Sequence, residues 1–183
     1  MWELSALVRR DHDDLDEAVV ALIASITPRR DLADIFDVMR LGLAVHIIAE
    51  TRTLDALRAR HYLPDAPRRL IEHVRDEHRR QLQAAESLLA VCPGSEAWYA
   101  AALELRIALL AHATGCETTK WTFQDHLGAD ERRWLAADYA SERLRALGIT
   151  APLALAHELT GNAVRLPALQ PVQGARRRES RPH

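Results

Sequence analysis

Cysteine is nearly absent. Cys92 and Cys116 are the only two in 183 residues, which excludes a disulfide framework and a four-cysteine zinc site. A reducing compartment is the simplest expectation. Lysine is scarcer still, since Lys120 stands alone and arginine supplies the remaining positive charge. The formal net charge of -2 provides no overall pull toward nucleic acid or acidic lipid. Only seven glycines are present and aromatics make up 5%, whereas Ala, Leu and Arg abound, a mixture that favours helix over sheet. No apolar run is long enough to span a bilayer. The opening Met1-Trp2-Glu3-Leu4 lacks the basic start and apolar block of a signal peptide. These absences together predict a cytoplasmic protein with neither a membrane nor a nucleic-acid partner.

What is present is helical pattern. Breaks are expected at Thr27-Pro28-Arg29-Arg30, His61 to Ala66, Cys92-Pro93-Gly94 and Gly128. Between them lie four stretches without internal proline, 2–26, 31–60, 67–91 (opened by Pro67) and 95–127. Leu4, Val8, His12, Leu15, Val19, Leu22 and Ile26 recur four and three apart, as do Ile71, Val74, His78, Leu82, Ala85 and Leu89. The second stretch carries Ile35, Met39, Leu43, His46, Glu50, Leu54 and Leu57. The fourth is apolar around more of its circumference, as the most enclosed helix of a bundle would be. Short connections imply antiparallel neighbours. The expected fold is all-α: an up-down-up-down four-helix bundle over 1–128, then a helical appendage over 129–166. That appendage divides into a helix at 130–147 and a short segment at 152–165. From Pro167 to residue 183 a disordered tail is expected.

Histidines sit in the apolar seams. His12, His46 and His78 belong to three different helices, and His112 lies in line with Leu105 and Leu109 on the fourth. At ~1.5 Å rise per residue, counting from the breaks puts antiparallel neighbours at one level to within roughly 6 Å. Glu50 lies one turn from His46 on the same face. Glu117, five residues after His112, is offset by ~140° and would flank the same point. Burying such groups without a partner would cost several kcal/mol for each charge, and a cation removes that cost. The expected metal ligands are therefore His12, His46, Glu50, His78, His112 and Glu117. His73 is turned away from the seam and reads as a surface or outer residue. Cys116, one turn from His112, reads as a packed small side chain rather than a thiolate ligand.

The segments Asp11-His12-Asp13-Asp14-Leu15, His46-x-x-x-Glu50, Glu77-His78-Arg79-Arg80-Gln81-Leu82 and His112-x-x-x-x-Glu117 resemble, in that order, the four metal-binding segments of hemerythrin-like (HHE cation-binding) proteins. The resemblance covers roughly residues 4–127. It implies a non-haem di-iron site with two bridging carboxylates, open at one iron to oxygen, peroxide or nitric oxide. Iron is thus the expected metal ahead of zinc or manganese. The expected partner is a small diatomic or peroxide ligand, on a monomer or homodimer. Members often carry Glu where this chain has Cys116. The aromatic-proline elements after the second and fourth motifs are replaced by Thr53-Leu54-Asp55 and Trp121-Thr122-Phe123.

Other chemistries fit less well. No histidine has Asp or Glu three residues before it, which excludes the Glu-x-x-His pattern of ferritin-like bundles. A His-Glu-x-x-His, a Gly-rich phosphate loop and a Gly-x-Ser-x-Gly elbow are all missing. Three readings remain beside a site that binds or reduces an oxidant: iron storage or sensing without turnover, a DinB-like single-metal site on three histidines, and a metal-free interaction scaffold.

Overall fold

A computed structural model describes residues 3–24, 28–60, 65–116 and 127–160. These form five helices: α1 Leu4–Ile23, α2 Arg29–Arg60, α3 Asp65–Leu89, α4 Glu96–Gly115 and α5 Ala129–Thr160. The first four close a ring in chain order, each packing on the next and α4 returning to α1. Among the described residues no strand occurs, and no helix is long and apolar enough to cross a membrane.

Local chemistry sets the boundaries. The α3–α4 turn passes through Gly94 at φ 72°, a left-handed conformation that costs glycine little. Ser95 then caps α4, its Oγ accepting from the Trp98 backbone N–H at 3.1 Å. Glu131 reaches back to the N–H of Gly128 at 3.1 Å and steadies the start of α5.

Apolar residues form two separate clusters. One gathers Leu15, Leu22, Phe36, Leu43, Leu88, Trp98 and Leu105; the other gathers Leu4, Val8, Leu54, Leu57, Val74, Leu135 and Tyr139. Each fully buried Leu or Val contributes ~1.5–3 kcal/mol relative to exposure. A seam histidine marks the crossing on each helix of the ring. His12 falls between Val8 and Leu15, His46 between Leu43 and Ala49, His78 between Val74 and Ala85, and His112 between Leu109 and Cys116. A polar layer thus divides two halves of hydrocarbon.

Two expectations need correction. The region after Gly128 is not a helix of 130–147 followed by a short second one. It is one helix as long as α2, continuing past Gly148 and Pro152. Leu135, Tyr139, Glu142 and Ala146 turn inward at spacings of four and three, so α5 packs along α2 and α1 as a fifth member. Arg52 Nη1 meets Glu142 Oε2 at 3.0 Å across the α2–α5 contact. The other correction concerns α4, which is not the most enclosed helix. Its Leu103, Ile107 and Leu110 are exposed, because α5 covers α2 and α1 and leaves the outer face of α4 open. The expected tail, 167–183, lies outside the described residues.

Candidate metal centre

The four seam histidines meet inside the ring, with neighbouring ring centroids 4.8–5.8 Å apart. Glu50, wholly buried, sits among them. Its Oε2 lies 2.8 Å from His78 Nε2, 3.1 Å from His112 Nε2 and 3.4 Å from His46 Nε2. The i,i+4 spacing of His46 and Glu50 is what puts both groups on one face of α2.

The outer nitrogen of each of those three rings is occupied. His112 Nδ1 lies 3.0 Å from Glu77 Oε2, whose other oxygen lies 3.1 Å from His73 Nε2. His78 Nδ1 faces Thr51 Oγ1 at 3.3 Å. His46 Nδ1 lies 3.1 Å from the Tyr139 hydroxyl, which donates to Asp11 Oδ2 at 2.7 Å. Arg143 holds the same carboxylate at 2.9 Å. Each outer partner can accept an Nδ1–H, which leaves Nε2 as a lone pair directed inward. Three ring nitrogens and a carboxylate oxygen meet within this buried space, and a positive charge among them, a proton on His112 or a bound cation, balances the carboxylate.

Atoms bound ~2.0–2.3 Å from a common cation lie about 3–4 Å from one another. The separations around Glu50, 2.8–3.4 Å, lie at the short end of that spacing. One ligand atom each from His46, Glu50, His78 and His112 can be chosen so that all lie within 4.8 Å of one another. Outer hydrogen bonds to Glu77, Tyr139 and Thr51 are the supports that metal-bound imidazoles require. This buried His/Glu cluster could hold a metal ion.

His12 is buried, and neither of its ring nitrogens has a hydrogen-bond partner among the described residues. Two orphaned nitrogens in a buried imidazole also fit a ligand position. Gln81, one turn beyond His78, is likewise wholly buried with its amide unpaired there.

Electrostatics in the cluster follow its geometry. Burial, reinforced by His46 and His112, presses the His12 pKa down to about 2. Burial also lowers His78 to about 4 against the pull of Glu50. For Glu50, burial raises the pKa, but hydrogen bonds from His112 and His78 win and hold it well below the ordinary range. Burial opposes a charge on His112 too, yet hydrogen bonds with Cys116, Glu50 and Glu77 hold it up at about 11. A carboxylate and a proton-hungry imidazole side by side are what a cation-binding layer looks like before the cation takes the proton's place.

Of the six expected ligands, His12, His46, Glu50, His78 and His112 come together. Glu117 lies outside the described residues. His73 is half exposed and reaches the cluster through Glu77. Sequence reasoning missed the outer partners Glu77, Thr51, Asp11 and Tyr139. Glu77 and Asp11 adjoin seam histidines and are themselves buried, a signal the chain did carry. Tyr139 left none, because its role depends on how α5 docks. Comparison with protein families, curated proteins and solved structures finds no match for this chain.

Proposed function

We propose that the chain is a hemerythrin-like, non-haem di-iron protein that binds or reduces a small oxidant such as oxygen, peroxide or nitric oxide. The observation that carries the reading is the inward convergence of three Nε2 atoms on Glu50, each ring fixed from outside. His46, Glu50, His78 and His112 would hold metal, and orphaned His12 adds a fifth ligand beside them. Imidazole and carboxylate donors suit iron. When bound there, iron would supply a redox-active centre able to take a small ligand at an open position.

The chain's own residues do the rest. Glu77, Thr51 and Tyr139 fix ring orientation and make the imidazoles more basic. Asp11, steadied by Arg143, keeps the Tyr139 hydroxyl turned toward His46. Hydrocarbon on both sides of the layer excludes water and strengthens each electrostatic contact.

Metal analysis after anaerobic iron loading, with a visible spectrum after exposure to air, tests the proposal. About two irons per chain and an oxo-bridged di-iron spectrum are expected. One ion per chain with zinc preferred would favour the single-metal alternative. Failure to bind any ion would favour the scaffold.

A further inference from the structure

Cys116 lies at the edge of the centre. Its Sγ lies 3.6 Å from Glu50 Oε1 and 3.6 Å from His112 Nε2. The residue is still helical at φ -62° and ψ -47°, its N–H donating to the His112 carbonyl, so the thiol stays one turn from that ring. The two oxygens of Glu50 therefore face different company. Oε2 looks to the imidazoles of His46, His78 and His112, and Oε1 looks to the sulfur. Beside the sulfur stands His12, more than nine-tenths buried, with both ring nitrogens unpaired among the described residues. One ligand atom each from His12, His112 and Cys116 can be chosen so that all lie within 4.8 Å of one another. This second constellation overlaps the first only at His112.

We propose that the centre is a mixed nitrogen–sulfur site, in which Cys116 and His12 hold one ion and Glu50 bridges it to a second ion held by His46 and His78. His112, within reach of both constellations, completes one of them. The inference rests on the reading of this cluster as a metal centre and adds the identity of its donors. A thiolate donor shifts preference toward iron, cobalt and zinc and away from manganese and magnesium. It also makes the two ions unequal, since one has only nitrogen and oxygen donors and the other has sulfur.

Cobalt(II) provides the test, because its ligand-field bands report any bound ion and a thiolate-to-cobalt band reports sulfur. The intact chain should take up about two cobalt ions and show that charge-transfer band. Cys116→Ser should abolish the band and weaken one ion at least tenfold while leaving the other bound. His12→Ala should weaken the same ion. Cys92 is exposed, so Cys92→Ser should change nothing. X-ray absorption of the cobalt-loaded native chain needs no substitution, and a sulfur neighbour at about 2.3 Å is expected. Bound cobalt with neither a sulfur neighbour nor a band sensitive to Cys116→Ser would overturn the inference and leave the metal centre standing. If the native chain binds no cobalt at all, the inference and the metal reading fail together.

Discussion

The Tyr139 hydroxyl stands 3.1 Å from His46 Nδ1, so a helix outside the four-membered ring orients an imidazole inside it. Tyr139→Phe keeps the packing and removes the acceptor for that imidazole. His46 and Asp11 each lose a partner, at a cost of about 1–3 kcal/mol in stability. Metal affinity should fall about 10–100-fold. Competition with a chromophoric chelator measures it, and unchanged affinity would remove α5 from the site.

Metal removal should loosen the whole bundle, because the layer joins α1, α2, α3 and α4. A ligand bound only to the folded state stabilises it by about 2.7 kcal/mol at a hundredfold excess over Kd. Chelation should lower Tm by several degrees, and His46→Ala should erase most of the difference between loaded and chelated protein. Identical melting curves with and without metal would count against the centre.

Acid should destabilise the metal-free chain well above the usual carboxylate range. His12 is held down to about 2 and His78 to about 4, against an ordinary value of 6.5. Between pH 6.5 and 4 the unfolded chain therefore binds protons at both sites that the folded chain refuses. Stability falls with pH in that window, with a limiting slope of about 2.7 kcal/mol per pH unit for two protons. His112, held up to about 11, is protonated in both states there and adds nothing to the slope. Above 6.5 its contribution is lost progressively as pH rises toward 11. Urea midpoints of chelated protein should thus peak near neutrality, and a flat profile between pH 4.5 and 6.5 would contradict the burial of His12 and His78.

On α3 the two histidines should behave differently. His78→Ala removes an inward nitrogen and should cost at least one metal ion. His73→Ala removes only an exposed partner of Glu77 and should leave metal content unchanged. Equal losses, measured by metal analysis, would mean that α3 sits differently around the layer.

Much of this was legible in the chain because helical geometry is regular. Proline and glycine at 28 and 93–94 mark two of the turns, and fixed rise per residue brings His12, His46, His78 and His112 to one level. Periodicity says which face of a helix is apolar, but not what covers that face. It therefore could not show that α5 would shield α2 and leave Leu103 and Ile107 of α4 exposed. Nor could it foresee Tyr139 reaching across 93 residues to His46. The place of Cys116 was hidden for a different reason. Buried cysteine packs as a small apolar side chain, and helical spacing alone does not show that its Sγ would lie 3.6 Å from Glu50 Oε1.

The polar layer between two apolar halves also acts as a solubility filter. Its imidazoles and Glu50 are almost wholly shielded from solvent, so an arriving molecule partitions through hydrocarbon before it meets them. A neutral diatomic gas makes that passage cheaply, while an ion must shed its hydration shell. Asp11 and Tyr139 form a polar break in the seal and are among the residues lining a groove of about 690 Å³ between α1 and α5. If the centre binds an oxidant as proposed, a neutral gas would reach it through the hydrocarbon, whereas a charged electron donor would stay at the surface.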